Sequence, residues 1–334
     1  MMFSKIIIAG LATVSLAIAN HASADWKPNK PLRIIVPWGA GGSTDQMVRT
    51  LAGDLEGALG QKVVVVNQPG GAGAVGTKAA LDAQKDGYTW TAGAAKDLGT
   101  YGVTGAIKTH LKDWHLYLSV INFTLLSTNP NSKLKSIADV VKAMNSTPKK
   151  VTIATGGINS AGGASAEALK AAAGGGYKMV TYDGGNPAVK AAVSHETELT
   201  TQLIAEQYEM LRAKRLLPLA AFTPTSVTLP GIGTIPSITD ALPKAKVGPV
   251  YFGIWAPKGI PTEVVAKMDK VWTSTIKNSA KLKAYAASKG LSVNVMSGAA
   301  AYKAAFPSTQ INAWQIHDGG KSKVSPDKIN IPRP

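Results

Sequence analysis

The 334-residue sequence has no cysteine, only five histidines, and aromatic residues at just 6% of its positions. Without cysteine there is no disulfide framework, so the fold must rest on buried apolar surface alone. Beyond the first 24 residues the histidines are His110, His115, His195 and His317. None pairs with another at i, i+4 or sits in an H-E-x-x-H frame, so no metal is expected. A G-x-S-x-G elbow is also missing, and no catalytic residue is assigned. Acids are scarce too, 20 against 36 Lys+Arg, for a net charge of +16. A field of that sign favours encounter with anions, although a solvated lysine-rich surface explains it equally well. The lysines are scattered as KLK, PKK and KSK without an aromatic-studded basic patch, which argues against nucleic acid.

Long apolar runs are missing except at the N-terminus. Lys5 is the only charged residue before Asp25, and residues 6–19 form an apolar run of 14. That is short of the roughly 20 residues a spanning helix needs. Ala22, Ser23 and Ala24 then place small residues at the positions a signal peptidase reads. A signal peptide over 1–24, cleaved after Ala24, is therefore expected, and with it a periplasmic location; an uncleaved anchor is the alternative. Cleavage removes Lys5 and no acid, leaving a net charge of +15. The remaining chain of about 310 residues is more than one core usually holds, which predicts two domains.

From residue 31 the pattern alternates short β-rich runs with amphipathic stretches. Residues 32–36 read as a strand, 39–45 as a glycine-hydroxyl loop, and 46–59 as a helix with Met47, Val48, Leu51, Leu55 and Leu59 on one side. Residues 63–66 read as a fully apolar strand. The plan restarts with a strand at 151–154, a Gly/Ser loop at 156–163, a helix from about 165 to 173 and a strand at 177–182. Such βα units predict sheets, mostly parallel, flanked by helices. Residues 248–256 read as one more strand and 261–276 as a helix opened by proline. The expected fold is α/β and two-lobed, a clamshell with two hinge crossings. Lobe 1 takes residues 25–122 with 252–334, and lobe 2 residues 123–251.

In an open sheet, ligands gather beyond the carboxyl ends of the strands. The loop Pro37-Trp-Gly-Ala-Gly-Gly-Ser-Thr-Asp45 lies there, and glycines at 41 and 42 let the backbone approach a ligand. Ser43 and Thr44 add hydroxyls at a helix start whose free N–H groups suit an oxyanion, carboxylate rather than phosphate because no Walker lysine follows. Ligand contact and simple capping are both open to these two residues; for Asp45 capping is the preferred role. Trp38 is read either as a cleft wall or as hinge packing. The second loop offers Asn159 and Ser160 from the equivalent place in lobe 2. One pattern points elsewhere: Gly71, Gly73 and Gly76 match G-x-G-x-x-G, with Asp97 about twenty residues on. Four residues separate the match from its strand, whereas a dinucleotide turn is tight, so no nucleotide and no other cofactor is expected.

Three runs of sequence carry a family resemblance: Pro31-Leu-Arg-Ile-Ile-Val-Pro-Trp-Gly-Ala-Gly-Gly-Ser-Thr-Asp45, Val64-Val-Val-Asn-Gln-Pro-Gly-Gly-Ala-Gly-Ala-Val-Gly76 and Asp86-Gly-Tyr-Thr89. Tyr182-Asp-Gly-Gly-Asn-Pro-Ala188, Leu217-Pro-Leu-Ala220 and Phe252-Gly-Ile-Trp-Ala-Pro257 follow in order. The chain resembles the receptors of tripartite tricarboxylate transporters, also called Bug or TctC-like proteins, over nearly its whole mature length. The resemblance implies a clamshell receptor that captures a small organic anion, a di- or tricarboxylate or an aromatic acid, and hands it to membrane permease subunits. It implies binding without chemistry, and a monomer is expected. In that family the glycine pattern at 71–76 binds no nucleotide. Carried over by position, Gly41, Gly42, Ser43 and Thr44 match the first ligand loop, and Asn159, Ser160 and Ala161 the second, with Trp38, Tyr182 and Gln202 at the pocket. The chain also departs from the family pattern. Gln202 stands where an aspartate often borders the pocket, Thr200 and Thr201 replace bulkier apolar groups, and Gly163 replaces a histidine. Lys96, where small serines are commoner, has a distal ligand carboxylate, Asp97 or solvent as its possible partner. The rivals are a receptor for another transporter class, a receptor feeding a sensor kinase, and a secreted enzyme.

Overall fold

The computed structural model describes residues 26–147 and 150–334; the expected signal peptide and its expected cleavage after Ala24 lie outside the described residues. In chain order the strands are β1 (Leu32–Val36), β2 (Val63–Asn67), β3 (Thr89–Ala94), β4 (Trp114–Asn122), β5 (Leu125–Thr128), β6 (Thr152–Thr155), β7 (Lys178–Thr181), β8 (Leu199–Thr200), β9 (Leu217–Ala221), β10 (Val227–Leu229), β11 (Gly233–Ile235), β12 (Val250–Pro257) and β13 (Ser292–Ser297). They form a six-stranded sheet ordered β13-β4-β12-β3-β1-β2, a five-stranded sheet ordered β7-β6-β8-β5-β9, and the small hairpin β10-β11. Each large sheet carries helices, and the chain is two-lobed.

The pairing is more mixed than repeated βα units alone predict. β1 pairs in parallel with β2 and β3, but β12 lies antiparallel between β3 and β4. In the second sheet β6 is parallel to β7 and β8, and β5 is antiparallel to β8 and β9. The reason is the crossing itself. A strand arriving from the other lobe enters its sheet at the cleft end, so it runs opposite to strands that finish there. β5 and β12 are those arriving strands, and the chain changes sheets between Asn122 and Leu125 and again before Val250.

β1 shows how the first sheet becomes a core. Leu32, Ile34 and Val36 point to one apolar cluster and Ile35 to another, and all four are buried. The first face is covered by the helix Ser43–Leu59, whose Met47, Val48, Leu51, Leu55 and Leu59 are all buried. Each such side chain contributes about 1.5–3 kcal/mol on leaving water. That helix ends at Gly60, where φ is +67° and the N–H donates to Glu56 O. The opposite face is covered by helices Ala74–Asp82, Asp97–Thr104 and Gly298–Asp318, which supply Ala80, Leu98, Tyr101, Ala301 and Ala305. β2 departs from its expected burial. It is the edge strand, helix Ala74–Asp82 packs over β1 and β3 rather than over it, and Val64 and Val66 stay exposed.

Candidate ligand-binding site

The first loop is held by Asp45. Its Oδ2 accepts from Gly41 N–H at 2.8 Å, and its Oδ1 from Asn67 Nδ2 at 2.9 Å and Arg49 Nε at 3.0 Å. Burial acts to raise the Asp45 pKa, but the hydrogen bonds from Arg49, Gly41 and Asn67 outweigh it and hold the carboxyl below its ordinary 3.8. The carboxylate therefore stabilises the fold fully above that value, and the contribution fades as pH falls through the lower folded value. Asp45→Ala is expected to cost about 2–3 kcal/mol at neutral pH, since charged hydrogen bonds are lost and Gly41 N–H is orphaned. Urea melts of wild type and variant should converge as pH drops below the Asp45 pKa.

Helix Ser43–Leu59 has Gly42 at its N-cap, and no side chain of its own first turn caps it. The acceptor comes from the other lobe: Ser43 N–H donates to Glu206 Oε1 at 3.2 Å. Ser43 Oγ in turn accepts from Asn122 Nδ2 at 3.2 Å, at the very end of β4. Asn186 Nδ2 reaches across to Gly41 O at 2.6 Å. The two lobes thus meet directly over this loop.

In the second loop Ser160 closes a tight cap. Its hydroxyl donates to Gly157 O at 2.7 Å and accepts from Gly163 N–H at 3.0 Å, so the helix Ala161–Ala173 begins four residues before the position the sequence suggests. Asn159 also crosses between lobes, but not toward the first loop. Its Oδ1 accepts from Thr104 Oγ1 at 2.9 Å and its backbone O from Thr100 Oγ1 at 3.4 Å, which ties it to helix Asp97–Thr104 rather than to the first loop.

Between the loops lies a cavity of about 20 Å³, space for about one water. Of the residues expected at the site, Trp38, Ser43, Thr44, Ser160, Ala161 and Gln202 line it. Gly41 and Gly42 shape the loop without lining the cavity. Tyr182 faces away, with its hydroxyl donating to Glu196 Oε1 at 2.8 Å near the surface. Trp38 is a wall shared by both lobes: its ring packs where a Cβ on Gly73 would stand 2.7 Å away and one on Gly156 3.5 Å away. The same packing accounts for two glycines of the pattern at 71–76. Gly73 has φ +88° and gives its side-chain space to Trp38 and Tyr101, while a Cβ on Gly76 would meet Gln68 O and Pro37 at 2.7–2.8 Å.

Sequence reasoning missed Asp97, Gly185, Leu203, Glu206 and Phe252, which with Gly156 of the second loop complete the lining. Glu206 is the most consequential. On helix Ile204–Arg212 it has the local pattern of an ordinary amphipathic-surface acid, close to Glu209, and nothing nearby in sequence announces its partner. With the Gln202 amide oriented so that its oxygen accepts from Gly156 N–H at 2.7 Å, its NH2 donates to Glu206 Oε2 at 3.1 Å. Burial pushes Glu206 up to about 7, against the opposing hydrogen bonds from Ser43 and Leu203. Asp97, 4% exposed, is likewise raised by burial against the pull of the Lys96 charge.

Two lobes joined by two crossings of the chain, with strand-to-helix loops meeting over a small polar cavity, define a solute-binding protein of the clamshell class. The model of the tripartite tricarboxylate transporter family receptor matches residues 47–315, and the chain belongs to that family. It is a solute-binding receptor of a family of periplasmic receptors, not an enzyme. Among relatives, the protein BugT of Bordetella pertussis is 27% identical over 285 residues, 84% of this chain and 86% of its own. The structure of the periplasmic binding protein BugD superposes with a TM-score of 0.79 at 22% identity, covering 88% of this chain and 99% of that one. A Rhodopseudomonas relative (R. palustris Rpa4515), solved with adipate, superposes at 0.77 with 22% identity over 88% and 98%.

Proposed function

We propose that this receptor captures a small organic carboxylate between its lobes and delivers it to the permease subunits of a tripartite tricarboxylate transporter. The observation that carries the reading is the convergence of the two strand-to-helix loops on one interlobe cavity, with Thr44 and Ser160 facing it. Lobe 1, residues 25–122 with 252–334, and lobe 2, residues 123–251, would be the moving bodies, flexing at the crossings near Asn122–Leu125 and Val250. A solute larger than a single water enters only when they part, and closing again excludes solvent, so contacts from both loops strengthen together. Adipate bound to the Rhodopseudomonas relative supports the ligand class.

A thermal-shift titration of the mature chain against mono- and dicarboxylates tests this. A solute at a hundredfold excess over its Kd should stabilise the protein by about 2.7 kcal/mol. Thr44→Ala is the informative variant. The Ser43 and Ser160 hydroxyls hold the scaffold through Asn122 and Gly163, whereas no protein partner is found for Thr44 Oγ1 among the described residues. The variant should keep the unliganded melting temperature and lose most of the shift. Equal shifts in both proteins would place the solute elsewhere.

A further inference from the structure

The charge of the interlobe cavity is at odds with a simple diacid. Its ionisable lining residues are Asp97 and Glu206, and among the described residues no lysine, arginine or histidine lines it. Lys96, next to Asp97 in the chain, lines a neighbouring interlobe cavity with Thr124, Ser165 and Asn312 instead, and its charge acts on Asp97 from there without outweighing burial. The donors near Glu206 are already committed: Ser43 N–H serves its Oε1 and the Gln202 amide its Oε2. Gly185 is needed to make room for that carboxyl, since a Cβ there would stand 1.8 Å from Oε2. Asp97 has the opposite problem. It is 4% exposed, and its Oδ1 has no hydrogen-bond partner.

A buried carboxyl oxygen without a donor is costly, and an incoming carboxylate finds no opposite charge in this lining. A cationic donor removes both penalties together. From this arrangement we propose that the solute carries a protonated amine as well as a carboxylate, and that its ammonium docks against Asp97 beside Glu206. Its acid group then faces Thr44 and the first turn of helix Ala161–Ala173. The proposal rests on the reading of this cavity as the solute site and narrows its ligand class to zwitterionic acids. Burial, which raises both carboxyls, is consistent with a pair that ionises fully when a cation arrives.

Calorimetric titration with matched pairs tests it: succinate against γ-aminobutyrate, glutarate against δ-aminovalerate, adipate against ε-aminocaproate. At one chain length or more, the amino acid should bind about ten-fold tighter than its diacid, or better, because an ammonium replaces a carboxylate that has no cationic partner in the lining. Asp97→Asn should erase that preference by weakening the amino acid and strengthening the diacid. Glu206→Gln should act in the same direction, so the test stands even if one variant fails to fold by circular dichroism. A wild type that prefers the diacids, or variants that weaken both series equally, overturns the zwitterion proposal and leaves carboxylate capture intact. Failure of every probe in both series to bind overturns the wider reading as well.

Discussion

Glu206→Gln should make the protein more resistant to urea than wild type at pH 8, with the advantage shrinking to nothing as the pH falls below 4.5. The sign follows from the raised pKa. An unfolded glutamate titrates at 4.5, whereas Glu206 in the closed fold titrates at about 7. Between those values the folded state holds a proton that the unfolded state has released, so stability falls as pH rises through the window. A shift of that size corresponds to roughly 3 kcal/mol between the acidic and alkaline limits, because each unit is worth about 1.36 kcal/mol. Glutamine keeps a carbonyl for the Ser43 N–H and has no charge to bury, so the variant escapes the loss. Comparing the two proteins across pH removes the contribution of the other carboxyls, Asp97 included, which titrate in both. A stability difference that stays flat from pH 5 to pH 8 would mean that Glu206 sits in water rather than against the first loop.

Gly163→Ala is expected to damage both stability and binding. The position lies inside a helix, where alanine is normally worth about 1 kcal/mol over glycine. Here a Cβ would stand 2.1 Å from Gly157 O, a backbone atom of the second loop that has no side chain to rotate away. Overpacking of that kind costs about 3 kcal/mol, which exceeds the propensity gain and leaves a net loss of about 2 kcal/mol. The loop must also shift, taking Ser160 and the cavity wall with it, so affinity for any captured acid should fall by about ten-fold or more. Gly57→Ala is the control. It lies in helix Ser43–Leu59, its added Cβ meets nothing within 4 Å, and it should stabilise the protein by about 0.5–1 kcal/mol. Melting temperatures moving in opposite directions for the two variants would confirm that contact, not propensity, decides. A Gly163→Ala protein as stable as wild type would show that the second loop is more pliant than its packing indicates.

The sequence by itself determined the elements that build the site and their order. The apolar spacing of Met47, Val48, Leu51, Leu55 and Leu59 marks a helix from the chain alone, because its period is a local property. The glycine-hydroxyl runs at 37–45 and 156–163 likewise announce loops between strand and helix. The tertiary structure alone decided what those loops face. Ser43 and Glu206 are 163 residues apart, and no local rule marks an acid on a surface-like helix as the group that will cap another lobe's helix. Asn159 was legible as a polar loop residue, but its partner was set by where helix Asp97–Thr104 lies against the second lobe. The mixed pairing of the sheets has the same origin, since β5 and β12 take their direction from the chain's passage between lobes. Short-range pattern fixes each piece through its own hydrogen bonds and burial. Charge and contact at the cavity depend on pieces brought together from distant parts of the chain.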